Sequence, residues 1–228
     1  MARAHFSPAL FAFLRDLKRN NSREFFLANK ARYERDVRDP LLRFIEGFGP
    51  QLRAISPHYV ADPRAVGGSM FRVNRDTRFS RDKAPYKTHA AAQFRHVKGR
   101  DVHAPGFYLH LEPGNVFAGV GMWRPPADAL RLVRDAIAER PDVWTKAIGD
   151  RRFRARYDMS GEVLKRPPRG YDPEHPLIEE LKRKDFVALT PFAQRDACGP
   201  GFLESYAATA RAATPFMEFL TRAVGLRW

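Results

Sequence analysis

The residues best suited to chemistry lie in one run, Phe71 to His89, which reads FRVNRDTRFSRDKAPYKTH. It holds Arg72, Arg75, Arg78, Arg81, Lys83 and Lys87 against Asp76 and Asp82. Arginine presents a planar fork that grips phosphate or carboxylate through two parallel bonds, and lysine adds a point charge. Thr77, Ser80 and Thr88 offer hydroxyl donors to the same oxygens, while Phe79 and Tyr86 can stack on a base or cover an apolar part. The candidate anion-binding set is therefore Arg72, Arg75, Arg78, Lys83, Tyr86 and Lys87. A competing reading makes the run a latch, with Asp76 and Asp82 paired to neighbouring arginines and Phe79 and Tyr86 anchored in the core. Pro85 and the lack of a helical apolar stripe predict a strand leading into a loop. Side chains three apart on a strand point to opposite faces. The four arginines then form no single comb, and a subset converges only if the loop folds back.

His89, His96, His103 and His110 recur every seven residues, but Gly99, Pro105 and Gly106 forbid one continuous helix. No HxH or HExxH pattern occurs, and no metal site is expected. His89, at the end of the basic run, and His110, on the open face of a predicted hairpin, are the candidates for proton transfer. Dinucleotide, P-loop and serine-hydrolase motifs are missing, so no cofactor is expected. Cys198 is the one cysteine, which excludes an internal disulfide and a cysteine-based zinc site. A second basic cluster, Lys165, Arg166, Arg169 and Tyr171, sits in LKRPPRGYD; it either completes a groove with the first or serves as a surface connector.

The elements that position these residues follow from apolar spacing. Ser7 can cap a helix bearing Leu10, Phe11, Phe13, Leu14 and Leu17. Asn20-Asn21 breaks it, and Asn21 with Glu24 has the spacing of a capping box for a second helix. Pro40 suits the first turn of a third, which Gly47, Gly49 and Pro50 should kink or end early. Then the period changes. Phe71 to Asn74 and Gln93 to Arg95 read as short strands. Residues 106–123 read as a hairpin turning at Pro113-Gly114-Asn115. Phe107, Leu109 and Leu111 share one face; Tyr108, His110 and Glu112 share the other, with Gly119 and Gly121 leaving room for something bulky. Helices return over 126–139 and from Pro141, over Leu177 to Lys184, and from Phe202 to Leu226 with a break at Pro215.

The fold class expected is α+β, a single domain over 1–228. It has a mainly antiparallel sheet with a central hairpin, helical residues 1–55, strand-rich residues 66–123 and helical residues 126–228. The 228 residues and eighteen phenylalanines suffice for one sizeable core. The net charge of +14 suggests attraction to polyanions, although a general preference for arginine also raises it. No apolar run reaches the ~18 residues of a membrane span, and the N-terminus lacks a signal-peptide pattern, so the expected location is cytoplasmic.

NNSREFFLANKARYE at 20–34, the 71–89 run, PGFYLHLEPG at 105–114, LKRPPRGYDPEHP at 164–176 and TPFMEFL at 214–220 together mark a chain that resembles the DUF2461 family of bacterial and fungal proteins. Phe25 departs from the tryptophan that the family favours after Glu24, and keeps its aromatic role. The resemblance spans nearly the whole chain. It implies that the basic motif belongs to a recurring architecture, and it brings no catalytic residues. Three functions fit: a pocket for a small phosphate, carboxylate or nucleotide-like anion; a nucleic-acid-binding module; and a structural or partner-docking protein with the motif as latch. Enzymatic activity and oligomeric state stay open.

Overall fold

The alternation in the middle of the chain closes into one sheet. The computed structural model describes residues 4–99 and 104–228. Its strands are β1 Tyr59–Val60, β2 Ala90–His96, β3 Gly106–Glu112, β4 Asn115–Met122, β5 Asp158–Ser160 and β6 Phe186–Phe192. They lie in the order β1-β2-β3-β4-β6-β5, and every neighbouring pair is antiparallel. The expected hairpin, β3–β4, is its centre. Glu112 already pairs with Asn115, so the turn is Pro113-Gly114 and Asn115 belongs to the strand. Gly114 sits at φ +78°, a value that glycine adopts without a Cβ clash.

Helices cover one face. They are α1 Pro8–Arg19, α2 Arg23–Ala28, α3 Lys30–Tyr33, α4 Asp39–Ile55, α5 Ala127–Glu139, α6 Pro141–Gly149, α7 Arg151–Arg154, α8 Ile178–Leu181, α9 Gln194–Ala197, α10 Phe202–Ala212 and α11 Thr214–Ala223, with a π-helical stretch Glu34–Arg38 joining α3 to α4. Phe94, Phe107, Leu109, Leu111, Ala118 and Phe186 point into this layer and are buried. Phe48 of α4 packs edge-on against Phe94 at 4.7 Å, and Trp144 of α6 against Phe186 at 5.7 Å. Each such side chain contributes about 1.5–3 kcal/mol by leaving water.

Several local expectations need correction. Ser7 occupies the cap position of α1, but its side chain makes no capping bond. The cap of α2 is Ser22, which accepts from the Phe25 amide; Asn21 is used elsewhere. Helix α4 runs through Gly47, Gly49 and Pro50 to Ile55, because Phe44, Phe48 and Leu52 are all buried along one stripe. The 177–184 helix shrinks to Ile178–Leu181, and the third described as helical supplies β5 and β6 to the sheet. Pro215 does split the last helix, at Ala213 between α10 and α11.

Candidate ligand site on the open sheet face

Period-two alternation places Gln93 of β2, Tyr108 and His110 of β3, Phe117 and Gly119 of β4, and Val187 and Leu189 of β6 on the face away from the helices. A cavity of about 590 Å³ lies there, lined among others by Phe71, Lys87, His89, Tyr108, Phe117 and Trp123. Tyr108 faces Gly119 across the strand pair, and a Cβ at Gly119 would come 3.5 Å from the Tyr108 ring. The room anticipated at Gly119 is thus shared by that ring and the cavity.

One wall is the basic run. It forms an irregular hairpin continuing β2, with bridges Met70 to Ala92 and Asn74 to Tyr86 instead of the regular strand expected at 71–74. The Phe71 amide donates to the Ala91 carbonyl, and the Lys87 amide to the Val73 carbonyl. Arg72 alone therefore stands opposite Thr88, His89 and Ala90. This surplus is a bulge, a device that re-aims side chains, and His89 of the bulge lines the cavity.

Tyr86 anchors the hairpin. Its ring stacks on Phe26 at 4.2 Å, and Asn21 clamps its backbone, donating from Nδ2 to the Tyr86 carbonyl at 2.9 Å and accepting its amide at 3.1 Å. Arg75 pairs with Asp82, and Arg78 with Asp76 at 2.7 Å. These arginines hold the Asp76 carboxyl down to about 2 and that of Asp82 below its usual range. Lys83 donates to the Thr77 carbonyl. Arg72 and Arg81 are exposed. Phe79 is no core anchor, being 95% exposed with the Arg78 guanidinium 5.8 Å from its ring. Of the six expected anion-binding residues, the structure brings Lys87 alone to the cavity lining; Tyr86 is buried behind it, and Arg72, Arg75, Arg78 and Lys83 lie along the hairpin.

Lys87 Nζ donates to the carbonyls of Arg72 at 2.6 Å and Asn74 at 3.2 Å. An ammonium has three donors, so one remains for a ligand. Burial, then the Arg72 charge, lowers its pKa. His89 and His110 meet with ring centroids 4.5 Å apart. Burial, reinforced by His110, pushes His89 down to about 4, so it is neutral at pH 7. His110 is lowered by burial against the opposing pull of Glu112. Tyr108 Oη lies 2.9 Å from His110 Nδ1, and His110 Nε2 lies 3.4 Å from Glu112 Oε2. Burial, with the Glu112 charge, raises the Tyr108 hydroxyl to about 12. This carboxylate–imidazole–phenol chain can shuttle a proton to the cavity wall.

The heptad spacing of histidines thus joins His89 to His110. His96 lies at the far end of β2, with Nε2 2.9 Å from the Arg227 carbonyl, and His103 falls outside the described residues. Among the described residues, no group of three or more His, Cys, Asp or Glu side chains could hold a metal ion. Burial raises the Cys198 thiol. The second basic cluster is tied to α5, where Tyr171 Oη donates to Asp135 at 2.7 Å.

The opposite rim depends on Asp185, which is buried and accepts from the amides of Arg124 and Glu162. Arg124 has φ +47° and Gly161 φ +106°, and this shared acceptor holds both turns beside Trp123 and Ser160. Sequence reasoning picked out Tyr108 and Gly119 through strand alternation but missed Gln93, Phe117, Trp123 and Ser160 as cavity residues; for Gln93 and Phe117 the alternation was an available signal.

The architecture is an α+β domain with one helix-covered sheet face and one concave face closed by a basic hairpin. The chain belongs to the family described as conserved hypothetical protein (DUF2461), whose model matches residues 9–219. A search of the curated proteins gives no match. Among the described residues, no helix is long and apolar enough to cross a membrane.

Proposed function

We propose that the chain binds, in the open-face cavity, a small molecule with a flat apolar body and an anionic head. One observation carries this reading: a largely aromatic and aliphatic lining with a single lysine, Lys87, at one wall. Apolar walls supply area and a few placed polar groups fix orientation, which is the usual make-up of a small-molecule pocket. Lys87 would receive the anion, with the neutral His89 and the Tyr108 hydroxyl beside it. The earlier anion-binding set narrows here to Lys87, since Arg75 and Arg78 are already neutralised by Asp82 and Asp76. Those same ion pairs favour the latch for the rest of the hairpin. A groove joining 71–89 to 164–171 for nucleic acid has less support, because Tyr171 ties the second segment to α5.

The test uses two fluorescent probes, anilinonaphthalene sulfonate and its neutral analogue phenylnaphthylamine. Both should bind saturably at one site, and Gly119→Val, which fills the cavity, should abolish both. Lys87→Met should weaken the sulfonate about tenfold and leave the neutral probe unchanged. Equal binding of the sulfonate to wild type and Gly119→Val would sink the reading.

A further inference from the structure

On the helical side, α7 and α10 frame a groove of about 540 Å³ whose lining includes Arg151, Arg152, Arg156 and Arg211, with Ala208 and Ala212. All four arginines are exposed. Among the described residues, none of them has a carboxylate within ion-pair distance, in contrast to Arg75 and Arg78 of the hairpin. Arg156 Nη1 donates to Thr209 Oγ1 and Arg211 Nη2 to Gln51 Oε1, each at 3.2 Å. Two guanidiniums are thereby held in place by neutral acceptors, keeping their charge uncompensated and their ordering cost low. Asp150, the acid nearest to Arg151 and Arg152 along the chain, is occupied by the amides of Arg152 and Phe153. Alanine side chains leave room for a phosphate to reach the forks.

The next helix pair along the chain carries a second, separate groove. Helix α6 leads into α7 across Asp150 alone, and α10 into α11 across Ala213 alone. This groove, between α6 and α11, carries Arg140, Lys146 and Arg222, of which Lys146 pairs with Asp142 at 3.9 Å and Arg222 with Glu218 at 2.9 Å. Cationic sites thus follow one another along two helix pairs. This suits a ligand with repeated phosphates better than a single ion. Among the described residues, the first groove is lined by arginine and alanine without an aromatic ring, so it offers forks for a backbone and no platform for unstacked bases.

We infer that this track binds the phosphodiester backbone of double-stranded nucleic acid, without reading sequence. The site is separate from the sheet cavity and from the 71–89 hairpin. Anisotropy of a labelled 20-base-pair DNA duplex should report binding whose log–log salt slope is about −3.6 for four phosphates. Arg152→Glu with Arg211→Glu should weaken it at least tenfold, and Arg152→Gln with Arg211→Gln by less. The charge-matched control Arg78→Glu with Lys83→Glu should bind like wild type, and circular dichroism should show all variants folded. Absent duplex binding, equal loss in the control, or tighter binding of a single strand of the same length would each overturn the inference.

Discussion

Tyr108 and His110, two residues apart on β3, are joined through their side chains, with Tyr108 Oη 2.9 Å from His110 Nδ1. Glu112, two residues further on, faces the other ring nitrogen. A strand repeats its direction every second residue, so three consecutive same-face positions build a linear hydrogen-bond chain. If Nε2–H donates to Glu112, Nδ1 accepts the phenol proton, and the Tyr108 oxygen turns its lone pairs to the cavity. A ligand proton can then pass to that oxygen as the phenol proton passes to His110.

The tautomer is therefore a first prediction. Nitrogen NMR at pH 7.5 should show His110 protonated at Nε2 and bare at Nδ1. Glu112→Gln should relax this preference, and Tyr108→Phe should shift the Nδ1 resonance. Finding the proton on Nδ1 in the native protein would reverse the direction of the chain.

Stability should depend on pH through the histidines. His89, at about 4, and His5, His96 and His110, all lowered chiefly by burial, bind protons less readily in the folded state than in the unfolded chain. The unfolded state then takes up protons first, so stability is full above about pH 6.5 and falls as the pH drops toward 4. Denaturant midpoints across pH 7.5 to 4.5 should decline, and His89→Asn should flatten that decline. A flat native profile would contradict the burial of these rings.

The hairpin should owe its place to Tyr86 more than to its ion pairs. Tyr86→Ala removes a buried ring stacked on Phe26 and should cost roughly 3–5 kcal/mol in urea unfolding. Asn21→Ala strands two backbone groups of Tyr86 and should cost about 1–3 kcal/mol. Arg78→Ala, whose pair with Asp76 is exposed, should leave the midpoint unchanged.

Two neighbouring glycines should respond differently. Gly121 has φ +112°, and a Cβ there would fall 1.9 Å from the Phe186 carbonyl oxygen. Gly121→Ala should destabilise by about 2–4 kcal/mol. At Gly119 the nearest atom to a new Cβ is 3.4 Å away, so Gly119→Ala should fold with a midpoint near wild type. Paired urea titrations distinguish the two.

Much of this was legible in the sequence. Alternation from Phe107 to Glu112 assigned the two faces of β3, and Pro215 marked the break between α10 and α11. The missing parts have physical causes. Strand β6, FVALTPF, is apolar or uncharged on both faces and carries Pro191, so no polar alternation marks it. Strand β5 has three residues, too few for a period. With those strands unseen, the far wall of the cavity at Ser160, Val187 and Leu189 had no place. The arginines of 71–89 drew attention by number, yet partner geometry, which spacing does not encode, decides which charges are spent within the hairpin.

The bulge opposite Arg72 has one more consequence. It acts as a phase shifter between the hairpin and the sheet: removing Ala90 would invert the parity of the stretch before it, turning His89 and Lys87 away from the cavity, and removing Thr88 would do the same to Lys87. Length at this point is thus as constrained as residue identity, and a one-residue deletion here should be worse tolerated than a substitution of any one of the three.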